Sequence, residues 1–182
     1  MENTHLKGAC EMVNLIFIGM NKKSVSSEDL KRIASEHLSY EIEMFTSTMG
    51  RLAIGGLDIL QKNVMLESFL IHARCLFDFL YPSKVARNND VTVNDFFDHP
   101  SNFRKNIPCS LTIESYLKRR TGKEIAHLTY DRLIVTPEKK IWQVSDIHNQ
   151  IVDVLEIFFS NLTDEQRGWF RMIVSNDGHI GE

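Results

Sequence analysis

The sequence predicts an all-α protein, a four- to five-helix bundle. Apolar residues recur at three- to four-residue spacing over four long segments, as expected of amphipathic helices. Turn formers are scarce, with only 9 Gly and 4 Pro among 182 residues, which also favours helices. A chain of this length that is 43% hydrophobic can bury a core without disulfides or metal. We therefore expect a leader at residues 1–25, a single helical domain at 26–175 and a polar tail at 176–182.

The first half of the domain contains two predicted helices. Ser26, followed by acidic residues in the next turn, is a typical helix cap, and Gly55-Gly56 should end the first helix. The second helix should run from about Leu57 to Tyr81, where Pro82 stops it. Its strongly apolar face places it at the centre of the domain.

Residues 82–108 have the composition of a connection. A short helix is predicted at 93–97, and His99-Pro100-Ser101-Asn102 is typical of a turn. In the leader, Leu15-Ile16-Phe17-Ile18 could be a short strand or an apolar segment that packs on the domain.

The second half contains the two remaining long helices. The third should begin near Pro108, bend or end at Gly122, and resume toward Leu133. The fourth should span 144–162, and Thr163 should cap a short terminal helix.

Composition excludes several classes of function. The net charge of −3 argues against a generally basic nucleic-acid coat, although it allows a local basic patch. The apolar run at 12–20 is too short to span a membrane. Cys10, Cys75 and Cys109 are odd in number and widely spaced, which predicts reduced thiols in a cytoplasmic protein. No phosphate-binding loop, dinucleotide fingerprint, serine elbow or zinc spacing is present, so we expect no cofactor and no metal.

The segment from Arg120 to His127 is the best candidate for chemistry. Four basic residues precede the histidine at Lys118, Arg119, Arg120 and Lys123. A histidine can move a proton near neutral pH, and an arginine can bind a phosphate through two parallel hydrogen bonds. This combination suits a site that cleaves phosphodiesters, but a solvated helix end would have the same composition.

Arg120, six intervening residues and His127, late in a helical bundle, resemble the R-x(4–6)-H signature of HEPN domains (higher eukaryotes and prokaryotes nucleotide-binding). The phrase Lys-Glu-Ile-Ala-His is similar to bacterial versions of the motif, and the architectural resemblance covers about residues 26–162. Many members are metal-independent ribonucleases of toxin–antitoxin, abortive-infection or CRISPR systems. The resemblance implies a homodimer in which Arg120 and His127 are catalytic and Lys118, Arg119 and Lys123 contact RNA.

Two further groups of polar residues could support this site. Glu67, Arg74 and Asp78 share one stripe of the second helix, and they could pair with one another or orient the catalytic residues. Tyr130-Asp131-Arg132 follows His127 by about one turn and could have a supporting role or form a surface salt-bridge cluster. His72 is interpreted as a hydrogen-bonded histidine at the edge of the core.

The leading hypothesis is a cytoplasmic HEPN-like RNA-binding protein in a toxin–antitoxin or phage-defence setting, and whether it is also a metal-independent endoribonuclease is left open. An antitoxin or another protein is then an expected partner. The alternative is a non-catalytic helical dimerisation module that binds a protein partner or a nucleotide, and a purely structural domain is a third hypothesis. An intrachain salt bridge that buries Arg120 or His127, with no basic cleft at a dimer interface, would favour the non-catalytic module.

Overall fold

The computed structural model describes residues 25–83, 89–108, 113–136 and 141–170. Within these ranges the protein is helical and contains no β-strand, which confirms the all-α prediction. Outside the described residues lie the apolar leader segment at 15–18, the polar tail, Cys10 and Cys109.

The first long helix forms as predicted, in three consecutive parts. Helix α1 (Ser27–Arg32), a first π-helical segment (Ile33–Leu38) and helix α2 (Ser39–Ile54) follow one another without a break. The Ser26 hydroxyl accepts a hydrogen bond from the Asp29 amide at 3.0 Å, which confirms the cap. Gly55 and Gly56 adopt φ angles of 78° and 71°, a conformation that other residues rarely adopt, and they end the helix.

Helix α3 (Ile59–Leu80) is the central helix of the bundle. Asp58 accepts a hydrogen bond from the Gln61 amide at 2.8 Å, and the Gln61 side chain accepts one from the Asp58 amide. This reciprocal cap fixes the start of the helix two residues after the predicted position. Helix α3 packs against α2 and against the later helical segments Glu114–Arg120, Thr121–Ala126 and Val144–Asn161, which agrees with its predicted central place.

The connection after α3 contains more helix than predicted. A 3₁₀ turn at Val93–Phe96 confirms the short predicted helix. The turn predicted at 99–102 is wrong, because helix α4 (Pro100–Asn106) occupies this position. Pro100 is the first helical residue, a position at which the backbone N–H has no acceptor within the helix. Proline, which lacks this N–H, therefore begins a helix here instead of a turn.

The third predicted helix is shorter than expected. Helix α5 (Glu114–Arg120) continues into a second π-helical segment (Thr121–Ala126), and the chain leaves the helix at His127 with φ −127° and ψ 142°. The predicted continuation toward Leu133 is therefore wrong, and a 3₁₀ turn at Tyr130–Ile134 follows instead. The predicted start near Pro108 runs into residues 109–112, which lie outside the described residues.

The last two helices agree with the predictions. Helix α6 (Val144–Asn161) contains the predicted apolar stripe, and helix α7 (Asp164–Arg167) is capped by Thr163. A buried cluster of phenylalanines joins α6 to α3, the first 3₁₀ turn and α4, with Phe158 at its centre. None of the helices in the described ranges has the length and apolar character needed to cross a membrane.

Candidate functional site

Arg120 makes an intrachain salt bridge. Its Nε lies 2.8 Å from Oε1 of Glu124, and its Nη2 lies 2.8 Å from Oε2 of the same carboxylate. The remaining nitrogen, Nη1, donates to the carbonyl oxygen of Ile141 at 3.1 Å. Two parallel bonds to one carboxylate are the strongest arrangement available to an arginine.

An indole ring covers the same guanidinium. The Arg120 Cζ atom lies 3.9 Å from the centre of the Trp142 ring, within the range of a cation–π contact. The side chains of Arg120 and Glu124 are only 13% and 19% exposed. Arg120 thus connects the end of α5 to the chain that precedes α6, and its charge is neutralised within the protein.

The turn at His127 is held by backbone contacts. The His127 amide donates to the carbonyl oxygen of Gly122 at 3.0 Å, which completes the last turn of the second π-helical segment. Arg132 Nη2 donates to the carbonyl oxygen of His127 at 3.1 Å, and Thr129 Oγ1 donates to that of Lys123 at 3.0 Å. The imidazole of His127 is exposed on this fixed turn.

The other basic residues of the segment differ in their surroundings. Lys118 Nζ lies 2.9 Å from a Glu114 carboxylate oxygen and 5.0 Å from the centre of the Phe77 ring, so it is engaged within the chain. Arg119 and Lys123 have exposed side chains. The contribution of all three to phosphate binding stays a prediction.

The charged stripe of α3 divides into a pair and a separate carboxylate. Arg74 Nε lies 2.6 Å from Asp78 Oδ2, and Arg74 Nη1 donates to the carbonyl oxygen of Lys118 at 2.8 Å. The expected pairing within the stripe therefore occurs between Arg74 and Asp78, and Arg74 also binds the end of α5. Glu67 is exposed and lies at the wall of a pocket.

This pocket lies between α3, the second π-helical segment and the chain before α6. Its volume is about 300 Å³, at the lower end of the range of small-molecule sites. It brings together two of the predicted supporting residues, Glu67 and Arg132, and places Glu124 beside them. Its lining consists of Asn63, Leu66, Glu67, Glu124, Ile125, Arg132, Val135 and Trp142.

Large apolar side chains surround the turn at His127. Leu128 and Tyr130 are each 90% exposed, and Leu133 is 82% exposed. Tyr130 is therefore almost fully exposed to solvent, and it does not line the pocket. The side chain of Asp131 lies outside what the structure describes.

His72 and Cys75 form a second polar group on α3. His72 Nδ1 lies 2.7 Å from a Glu41 carboxylate oxygen, and the residue is 9% exposed, which agrees with its interpretation as a hydrogen-bonded core-edge histidine. Burial, and then the adjacent Glu41 carboxylate, raise the pKa of the Cys75 thiol to about 11. Cys75 is therefore protonated near neutral pH and is a poor nucleophile.

The sequence did not predict a role for Glu124, Trp142 or Asn63. Glu124 could have been found, because acidic and basic residues four positions apart on a helix commonly pair. No local sequence pattern indicates a role for Trp142 or Asn63, because only tertiary packing brings them to the site. Thr121, the neighbour of Arg120, is also buried, and its hydroxyl oxygen has no hydrogen-bond partner in the structure as described.

No protein-family model matches the chain, and no similar curated protein or solved structure was found. In the ranges that the structure covers, no group of three or more His, Cys, Asp or Glu side chains could hold a metal ion together.

Proposed function

We propose that the chain is a HEPN-like RNA-binding module in which Arg120 has a structural role. The observation that carries this proposal is the Arg120–Glu124 salt bridge, which holds the basic segment in place beside an open pocket. A guanidinium that is bound by a carboxylate, a carbonyl oxygen and an indole ring is not available to a phosphate in this conformation.

Two basic side chains of the segment beside Arg120 lie at the protein surface. Arg119 and Lys123 are exposed on either side of Arg120 along the chain, and His127 follows on its fixed turn. Exposed cations along one segment attract a phosphate backbone without reading its sequence. Because the whole chain has a net charge of −3, we expect this attraction at the local basic patch and not over the whole surface.

Replacing both Arg119 and Lys123 with alanine should weaken binding of single-stranded RNA and reduce its dependence on salt. Each lost phosphate contact lowers the slope of log Kd against log salt concentration by about 0.7, so the double variant should lose about 1.4. Fluorescence anisotropy with a labelled uridine oligonucleotide at several salt concentrations measures both effects.

Lys31→Ala with Arg51→Ala is the matched control, because it removes the same charge from exposed positions on α1 and α2. The control should bind RNA like the wild type. Equal loss in the two double variants would show a dependence on net charge alone, and the proposed patch would then be rejected.

The exposed imidazole of His127 favours a second candidate function, the metal-independent endoribonuclease. The ribose 2′-oxygen would attack the adjacent phosphorus while the bond to the 5′-oxygen breaks. His127 would move the proton between these oxygens, and the products would be a 2′,3′-cyclic phosphate and a 5′-hydroxyl. Arg120 could bind the phosphate only after its salt bridge to Glu124 breaks.

Incubating RNA with the protein and a chelator decides between the two functions. The non-catalytic module leaves the RNA intact, whereas the ribonuclease yields cyclic phosphate ends. In the latter case His127→Ala should reduce the rate by about 10²-fold or more, because a general acid–base contributes this much. The change alters an exposed side chain and should not affect folding.

His37→Ala is the control for the cleavage experiment, because His37 is also exposed and lies on the first π-helical segment. Cleavage that survives His127→Ala would reject His127 as the proton-transfer residue. Intact RNA with the wild type would reject the ribonuclease and leave the binding proposal in place.

The homodimer and the protein partner also belong to this proposal. Leu128, Tyr130 and Leu133 form an exposed apolar surface beside the basic segment, and such surfaces commonly bind proteins. A second copy packed there would bring two basic segments close to one RNA strand. A toxin–antitoxin or phage-defence setting, with an antitoxin on the same surface, is consistent with this arrangement.

A further inference from the structure

The pocket beside the basic segment has opposite charges on two of its walls. Glu67 projects from α3, and Arg132 comes from the 3₁₀ turn after His127. Within the described ranges, the Glu67 carboxylate has no hydrogen-bond or ion-pair partner. Arg132 uses Nη2 for the carbonyl oxygens of Ile125 and His127, and its Nε and Nη1 donate to no acceptor in those ranges.

A phosphate is a poor ligand for this pocket. The Glu67 carboxylate would repel it, and the guanidinium of Arg120 is already neutralised by Glu124. The remaining lining includes the apolar side chains of Leu66, Ile125 and Val135 and the indole of Trp142. Such a lining suits a flat ring system with polar edges, and about 300 Å³ provides room for a base while the sugar and phosphate stay outside.

Among the four RNA bases, guanine matches the two charged walls. Its N1–H and N2 amine are adjacent donors, which one carboxylate can accept together, and its O6 and N7 are adjacent acceptors for an arginine. Adenine and cytosine present one donor group beside a ring acceptor, which a carboxylate would repel. Uracil presents a single donor between two acceptors.

We propose that this pocket binds a guanine base, with Glu67 accepting from N1–H and the N2 amine and Arg132 donating to O6 or N7. The proposal rests on the RNA binding proposed above for the source of the base. A guanosine bound there would lie beside the basic segment, because Glu124 and Ile125 line the pocket and belong to the same π-helical segment as Lys123. The protein would then prefer single-stranded RNA that contains guanosine.

The test compares a uridine hexamer with the same hexamer carrying one central guanosine. The wild type should bind the guanosine oligonucleotide about tenfold or more tightly than the uridine hexamer, as expected for one bidentate contact. Inosine lacks the N2 amine, so replacing guanosine with inosine should remove most of this preference. Glu67→Gln should abolish the preference for the guanosine oligonucleotide over the uridine hexamer.

Glu156→Gln is the matched control, since Glu156 is an exposed carboxylate on α6 away from the pocket lining. It should retain the full preference for guanosine. Equal binding of the two hexamers by the wild type would overturn the guanine pocket while leaving RNA binding intact. A preference that persists in Glu67→Gln would overturn the pocket as well.

A titration with guanosine 5′-monophosphate separates the free nucleotide from RNA as the source of the base. Binding of the nucleotide by the wild type but not by Glu67→Gln, with no binding of either hexamer, would support the guanine pocket and reject the proposed RNA binding. If neither the nucleotide nor the hexamers bind, both proposals are overturned.

Discussion

Arg120→Ala is expected to lower the free energy of unfolding by about 2–4 kcal/mol. The change leaves Glu124 without its partner at a site where only 19% of that side chain is exposed. It also removes the hydrogen bond to the Ile141 carbonyl oxygen and the contact with Trp142. Urea denaturation followed by circular dichroism measures the loss, and the m-value should stay unchanged.

Two further variants identify the cause of this loss. Arg119→Ala removes an exposed neighbouring arginine, and should change stability by no more than about 0.5 kcal/mol. Arg120→Met combined with Glu124→Leu removes both charges and keeps apolar volume, so it should recover much of the stability. If Arg120→Ala unfolds at the same urea concentration as the wild type, the structural role of Arg120 is wrong.

Phe158→Ala should lower the free energy of unfolding by about 3–5 kcal/mol, because it empties the centre of the aromatic cluster. Phe158 is fully buried, and its ring centre lies 5.4 Å from that of Phe79 and 5.5 Å from that of Phe96. Thermal or urea denaturation measures the effect. Phe158→Leu keeps more of the volume and should cost less than half as much.

Phe159→Ala is the comparison for this site, since the neighbouring ring is only partly buried and faces the edge of the core. Its loss of stability should be clearly smaller than that of Phe158→Ala. Equal losses would contradict the central position of Phe158.

Local signals in the sequence were sufficient to predict most of the long helices. Each of these signals depends only on residues close together in the chain. Examples are the cap at Ser26, the break at Gly55-Gly56 and the apolar stripe of α6. Helix α4 was not predicted, because a proline preceded by a histidine is compatible with both a turn and a first helical turn. Contacts with α6 decide in favour of the helix.

The site was only partly predictable for a related reason. Arg120 and His127 were found as a pattern along the chain, and the Glu124 partner lies within the reach of helical spacing. The contacts with Ile141 and Trp142 join residues about twenty positions apart, so they depend on how the chain returns to α5. The pocket likewise needs α3 and the turn after His127 to be assembled before it exists.

The second π-helical segment changes the relative positions of two residues that are seven positions apart in the chain. In an α-helix, residues seven positions apart lie on the same side, nearly two full turns from each other. The wider winding of Thr121–Ala126 has more residues per turn, and the extended backbone of His127 then turns the chain away from the helix axis. The number of residues between Arg120 and His127 therefore does not determine the distance between their side chains. The winding of the backbone between them sets the direction of each side chain.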